Sequence, residues 1–184
     1  MRLFIAVDFS QQSKDLIIKQ TRALKSSLEN NYRWVDSKNF HLTLKFIPEA
    51  DKQLRNSLVV ALEESKLSLL PEYLEFDRLG AFPDLAAKKV LYLATANGTD
   101  QLKSYRLDLE KKLMKTGLIR DKRNFIPHLT LARQKNQAEV NIEDKFLENS
   151  FINIYAKLKR IALYESKLDS AGSEYRQLFS LNLI

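Results

Sequence analysis

His41-Leu42-Thr43-Leu44 and His128-Leu129-Thr130-Leu131 are one tetrapeptide written twice, and they hold the only two histidines among the 184 residues. Phe40 precedes the first copy and Pro127 the second; a basic residue follows each, Lys45 and Arg133. Leu-Thr-Leu with Phe40, Phe46 and Ile47 beside it reads as a strand, because β-branched and aromatic residues suit a pleated surface. Side chains alternate along a strand, so His41 and Thr43 share one face while Leu42 and Leu44 share the other. His128 and Thr130 stand in the same relation to Leu129 and Leu131. Two such pairs facing each other would set two imidazoles and two hydroxyls around one small anion.

Outward from these stretches the same order of elements recurs. Residues 2–7 read as a strand, and Ser10 or Ser13 caps a helix running to about Glu29, with Ile17, Leu24 and Leu28 at helical spacing and Leu16 beside them. Arg33 to Val35 is a short strand, and Asn39 to Ile47 carries the first motif until Pro48 stops it. Residues 50–66 form an amphipathic helix with Leu54, Leu58, Ala61 and Leu62 inward. Tyr73, Leu74 and Phe76 then suggest a strand broken at Gly80 and Pro83, with Gly80-Ala81-Phe82-Pro83 as a turn. Lys88 to Thr95 is another strand, and Asn97-Gly98 a turn. A third helix follows, capped by Thr99 or Asp100, with Leu102, Tyr105, Leu109 and Leu113 on one face and Gly117 as its stop. Asn124 to Arg133 carries the second motif. Residues 134–149 are polar, either loop or a short helix around Val140 to Phe146. Phe151 to Tyr164 and Glu174 to Leu183 read as closing strands, with Gly172 suggesting a hairpin that would hold Glu165, Ser166 and Tyr175. Trp34 and Tyr92 are expected in the core or the cleft wall. Strand-helix-strand-strand twice over predicts an α+β, bilobal duplicated fold, a single domain over 1–184 whose two lobes each give one motif strand to a shared cleft.

Bulk properties agree with a soluble globular chain: 45% hydrophobic and 29% charged residues. No apolar run is long enough to cross a membrane. Met1 to Asp8 reads as a first strand rather than a signal peptide, which favours the cytoplasm. There is no cysteine, so disulfides and thiolate metal sites are excluded. With two histidines and no carboxylate cluster beside them, neither a metal centre nor a cofactor is expected. A net charge of +7 favours polyanionic partners. Much of it gathers near the motifs: Arg33, Lys38 and Lys45 at the first, and Arg120, Lys122, Arg123, Arg133 and Lys135 at the second.

The paired His-x-Thr motifs resemble those of the 2H phosphoesterase superfamily. The flanking text narrows the resemblance to the RNA 2',3'-cyclic phosphodiesterase family, historically called 2'-5' RNA ligases. That text runs nearly end to end, through Met1 to Asp8, Arg33-Trp34-Val35, Phe40 to Phe46, Leu79 to Pro83, Phe125 to Arg133, and Leu163 to Leu168 with Gly172 and Tyr175. The resemblance implies antiparallel sheets forming a central cleft, with helices packed outside. It implies metal-independent opening of a 2',3'-cyclic phosphate at the 3'-oxygen, leaving a 2'-phosphate. His41 is then the proton donor and His128 the proton acceptor. Thr43, Thr130 and Arg133 bind phosphate oxygens, and Phe46 stacks on the terminal base. RNA ends or small cyclic nucleotides are the implied partners, a monomer is expected, and weak 2'-5' ligation would be the reverse reaction. A 2',5'-phosphodiesterase, an ADP-ribose cyclic phosphate phosphodiesterase and a non-catalytic single-stranded RNA-binding module are the alternatives. Where relatives carry Leu-Gly-Glu after the first motif, this chain has Ile47-Pro48-Glu49, which alters a loop and not the chemistry.

Overall fold

The computed structural model describes residues 1–84, 87–121, 123–135, 152–169 and 172–183. The polar stretch around Val140 to Phe146, the start of the closing strand at Phe151, and Lys122 lie outside the described residues.

Among the described residues eight strands and three α-helices alternate: β1 (Leu3–Phe9), α1 (Gln11–Leu28), β2 (Tyr32–Trp34), β3 (His41–Ile47), α2 (Lys52–Glu63), β4 (Tyr73–Phe82), β5 (Val90–Thr95), α3 (Thr99–Met114), β6 (His128–Gln134), β7 (Ile154–Asp169) and β8 (Gly172–Asn182). Every pairing is antiparallel. One half of the sheet runs β3-β1-β7-β8 and the other β2-β6-β5-β4-β7. The α+β reading with two antiparallel sheets holds, with a refinement. The halves are not consecutive in sequence: β2 crosses over to pair with β6. β7 is long enough to serve both halves, pairing with β4 through Ile154 to Lys157 and with β1 and β8 further along.

Local chemistry explains the ends of the helices. Ser13 N donates to the Ser10 side chain, which caps α1, and Leu54 N donates to Asp51 Oδ1 at 2.7 Å, which caps α2. α3 corrects the sequence reading. Its N-cap is Gly98, at φ 84 and without a side-chain cap, while Thr99 is the first helical residue and its hydroxyl reaches Thr95 at 2.8 Å. A Cβ at Gly98 would meet the Tyr73 carbonyl at 2.7 Å, so the close approach as well as the dihedral selects glycine.

A second correction concerns Gly80. β4 runs straight through it to Phe82, and no turn forms there. A Cβ on Gly80 would lie 2.4 Å from the Tyr92 ring on the paired strand. The glycine therefore makes room across the sheet, a role that looks like a break when read from sequence alone.

The core lies between sheet and helices. Every residue of β1 is buried, as its place between β3 and β7 requires. α1 packs on β7, and α2 packs on α3. Leu42, Leu44, Leu129 and Leu131 are all buried on the face away from the histidines, which fixes the register of both motif strands.

Candidate active site

β3 and β6 come into contact although no hydrogen bond joins them, so each half presents its motif to the other. Between them opens a cavity of about 460 Å³, within the range that holds small ligands. All six residues singled out in the sequence line it: His41, Thr43, Phe46, His128, Thr130 and Arg133.

Simple alternation does not account for all six. Phe46 and Arg133 each stand five residues past their histidine, and an odd offset would send them to the opposite face. A bulge in each strand corrects the phase. Ile5 pairs with Lys45 and Ala6 with Thr43, which passes over Leu44. Leu91 pairs with Ala132 and Tyr92 with Thr130, which passes over Leu131. Two buried residues in succession result each time, Leu44-Lys45 and Leu131-Ala132. The next side chain then returns to the cleft.

The two imidazoles are held alike. His41 Nδ1 donates to the Asn39 carbonyl at 2.6 Å, and His128 Nδ1 donates to the Ile126 carbonyl at 2.7 Å. A carbonyl only accepts, so the proton of each neutral ring sits on Nδ1 and Nε2 is left for the cavity. His41 Nε2 lies 3.2 Å from Thr43 Oγ1. Each ring is also walled by two aromatics. Phe4 and Tyr175 flank His41 at 4.9 and 5.3 Å, and Phe82 and Tyr92 flank His128 at 4.9 and 5.2 Å.

The charged surroundings differ. Burial pushes His41 down to about 4, against the pull of the Asn39 carbonyl and the Asp8 carboxylate; Lys14 and His128 push it lower. Asp8 stands opposite His41 on β1 and is buried with Lys14 at 2.7 Å and Arg160 at 3.0 Å. His128 is lowered by its own burial, raised by the Ile126 carbonyl and lowered by Arg133. Burial thus favours the neutral form of both rings.

The cationic residues near the motifs are corrected in part. Of those named from sequence, Arg133 alone lines the cavity among the described residues. Lys45 is 7% exposed and bonded to Glu110 of α3 at 3.0 Å and to the Ile119 carbonyl at 3.2 Å. Arg123 is paired with Asp121, Lys38 with Asp36, and the Lys135 ammonium donates to the Glu29 carbonyl. The β3 bulge turns Lys45 inward, and sequence spacing carries no sign of it.

Arg2, Phe4, Ser166 and Tyr175 also line the cavity, and the sequence reading gave them no role in the site. Phe4, two positions before Ala6 in a strand already identified, follows from alternation once β1 is paired with β3. The sequence puts Ser166 and Tyr175 in the closing hairpin, and they are paired there. Their position in the cavity wall depends on β7 lying beside β1, a contact between distant parts of the chain.

No group of three or more His, Cys, Asp or Glu among the described residues is placed to hold a metal ion. Among those residues no helix is long and apolar enough to cross a membrane.

Fold and cleft together bring two histidines, two threonines and an arginine to one cavity. The chain belongs to the 2'-5' RNA ligase superfamily, whose family model matches residues 12–169. It is 28% identical over 182 residues to the RNA 2',3'-cyclic phosphodiesterase of Archaeoglobus fulgidus, covering 97% of this chain and 98% of that one. It is 26% identical over 145 residues to the enzyme of the same name from Aquifex aeolicus, covering 78% and 77%. Among solved structures it superposes on E. coli LigT complexed with 3'-AMP, with TM-score 0.74, 21% identity and coverage of 99% and 97%. It also superposes on TT0787 of Thermus thermophilus, with TM-score 0.77, 20% identity and coverage of 100% and 98%.

Proposed function

We propose that this chain hydrolyses RNA 2',3'-cyclic phosphate ends to 2'-phosphate ends, without a metal, through its two His-x-Thr motifs. The observation that carries the reading is the mirrored pair of imidazoles. Both are fixed through Nδ1 to a carbonyl two residues upstream, and both line one cavity with a threonine beside them. Relatives over nearly the whole chain bear the name of this activity.

In the proposed reaction the residues take the roles that the family resemblance implies. Neutral His128 takes a proton from water through Nε2. The water oxygen bonds to phosphorus as the bond from phosphorus to the 3'-oxygen breaks. His41, protonated on Nε2, gives its proton to that 3'-oxygen, and the product carries a 2'-phosphate and a free 3'-hydroxyl. Thr43, Thr130 and Arg133 donate to the non-bridging oxygens, where charge grows in the transition state. Only a ribose can form the cyclic ester, so DNA is excluded by its chemistry.

His41 must be charged to act as the acid, although burial pushes it down to about 4. The substrate supplies the difference. A phosphate charge at about 4 Å contributes about 4 kcal/mol at an effective dielectric of about 20, which lifts an imidazole by roughly three pH units. Asp8 favours and Lys14 opposes a charged His41, while Arg133 opposes a charged His128. The assignment of His41 as donor and His128 as acceptor is the one the family resemblance implies. Both imidazoles come from one chain, which supports a monomer as the working unit.

The test uses an RNA oligonucleotide ending in a 2',3'-cyclic phosphate, in EDTA, with identification of the terminal phosphate formed. Conversion to a 2'-phosphate by the wild type is expected, with loss in His41→Ala and His128→Ala. An unconverted oligonucleotide that still binds would sink the reading in favour of an RNA-binding module. Turnover of a 2',5'-linked oligomer or of an ADP-ribose cyclic phosphate alone would move the activity to those esters.

A further inference from the structure

The cavity holds a second arginine that the reaction above does not use. Arg2 precedes β1 and stands two residues before Phe4, and both line the cavity. Its guanidinium lies over the Phe46 ring at 5.5 Å, a cation–π contact that leaves the charge open to solvent. Its backbone is fixed, because Ser166 N donates to the Arg2 carbonyl at 2.8 Å. Among the described residues, the arginines in ion pairs are Arg78, Arg106, Arg123, Arg160 and Arg176, so neither Arg2 nor Arg133 has a carboxylate partner there.

A cyclic phosphate diester carries one negative charge. Arg133 and a protonated imidazole already answer it. A further guanidinium, without a carboxylate partner among the described residues and lying over the Phe46 ring, calls for a second anion. Its position is informative. Phe4 pairs with Phe46, and Arg2 lies two residues further along, about 7 Å at strand rise. That is the scale of one nucleotide step from a base stacked on Phe46.

We propose that Arg2 binds the phosphodiester joining the terminal nucleotide to its 5' neighbour, and so makes the cleft select oligonucleotide ends over mononucleotide cyclic phosphates. This deepens the reading given under Proposed function and rests on it. The RNA then leaves the cleft past Phe46 and Arg2. The competing exit is Arg33, exposed on β2 directly opposite Arg133 and without a carboxylate partner among the described residues. Arg33 does not line the cavity, and it belongs to the other half of the sheet from Phe46.

The test compares kcat/KM for a short oligonucleotide with that for a mononucleotide 2',3'-cyclic phosphate, in the wild type, Arg2→Ala, Arg2→Lys and Arg33→Ala. The ratio is expected to fall about tenfold in Arg2→Ala, chiefly through KM, and to recover in part in Arg2→Lys. Replacing the last internucleotide linkage by a neutral methylphosphonate should lower the wild-type ratio by a similar factor and remove the effect of Arg2→Ala. A ratio untouched by Arg2→Ala, or one that collapses in Arg33→Ala instead, overturns the proposal. Should the wild type hydrolyse neither substrate, the reading of the reaction fails. The Arg2 site is then judged by the affinity of an oligonucleotide ending in a 2'-phosphate, with and without the methylphosphonate. Equal affinities overturn it; an affinity lowered about tenfold by the methylphosphonate in the wild type, and not lowered further by Arg2→Ala, supports it.

Discussion

β3 and β6 are the same device set in different surroundings. Each carries His-Leu-Thr-Leu, ties its imidazole to a carbonyl two residues back, and bulges before its fifth position. Beyond that they part. The fifth residue past the histidine is aromatic in one and cationic in the other, Phe46 against Arg133. The fourth is Lys45, buried against Glu110, in β3 and plain Ala132 in β6. A buried carboxylate stands beside His41, whereas an arginine bears on His128. Duplication supplies two equivalent imidazoles. In the proposed reaction one of them is the acid and the other the base, and one wall takes a base and the other a phosphate.

The largest expected effect comes from removing either imidazole. His41→Ala and His128→Ala should each lower kcat/KM by about 10²–10⁴-fold, and the double variant should fall by less than the product of the two. The pH profile tells them apart. A base must be deprotonated, so His128→Ala should abolish the limb that rises from acid pH. An acid must be protonated, so His41→Ala should abolish the limb that falls toward alkaline pH. The reverse pattern would exchange the two roles.

Lys45→Ala makes the strands alike at their fourth position. Among the described residues it leaves buried Glu110 with Arg106 alone, at 3.4 Å. A loss of about 3–5 kcal/mol in denaturant unfolding is expected. Pairing it with Glu110→Met should restore a good part. A variant as stable as the wild type would show that the ion pair contributes nothing beyond its neighbours.

At the fifth position, Arg133→Ala should cost about 1.5–3 kcal/mol of transition-state binding and lower kcat. Phe46→Ala should cost about 1–3 kcal/mol and appear mainly in KM, with little dependence on the identity of the base. Equal effects of the two on kcat and KM would remove the asymmetry inferred for the two walls.

The smallest effect is on stability against pH. Burial lowers both histidines below their unfolded value, so the folded protein binds fewer protons. Stability should be full above about pH 6.5 and decline as the pH falls from there toward 4, the folded value of His41. His41→Gln should flatten that decline more than His128→Gln, whose ring is the less shifted. Unchanged acid sensitivity in both would assign the decline to carboxylates.

Much of the fold was legible because it depends on local pattern. The Ser10 cap, the leucine stripe of α3 and the alternation of the motif strands are short-range signals. The failures were non-local. Gly80 read as a turn because its partner, Tyr92, is known only once β4 and β5 pair. Lys45 read as one of the charges gathered at the first motif because its partner Glu110 lies on another element. Ser166 and Tyr175 entered the cavity wall through a strand pairing that no local pattern announces.

The sequence by itself determined that two His-x-Thr strands exist, that leucines anchor them, and that each histidine shares a face with its threonine. A period of two is enough for that, since residues two apart share a face whatever the strand pairs with. Only the tertiary structure decided what stands with them. A bulge exists only relative to a partner strand, and one extra residue turns every later side chain to the other face. That single shift in each strand buried Lys45 and brought Phe46 and Arg133 back beside the histidines.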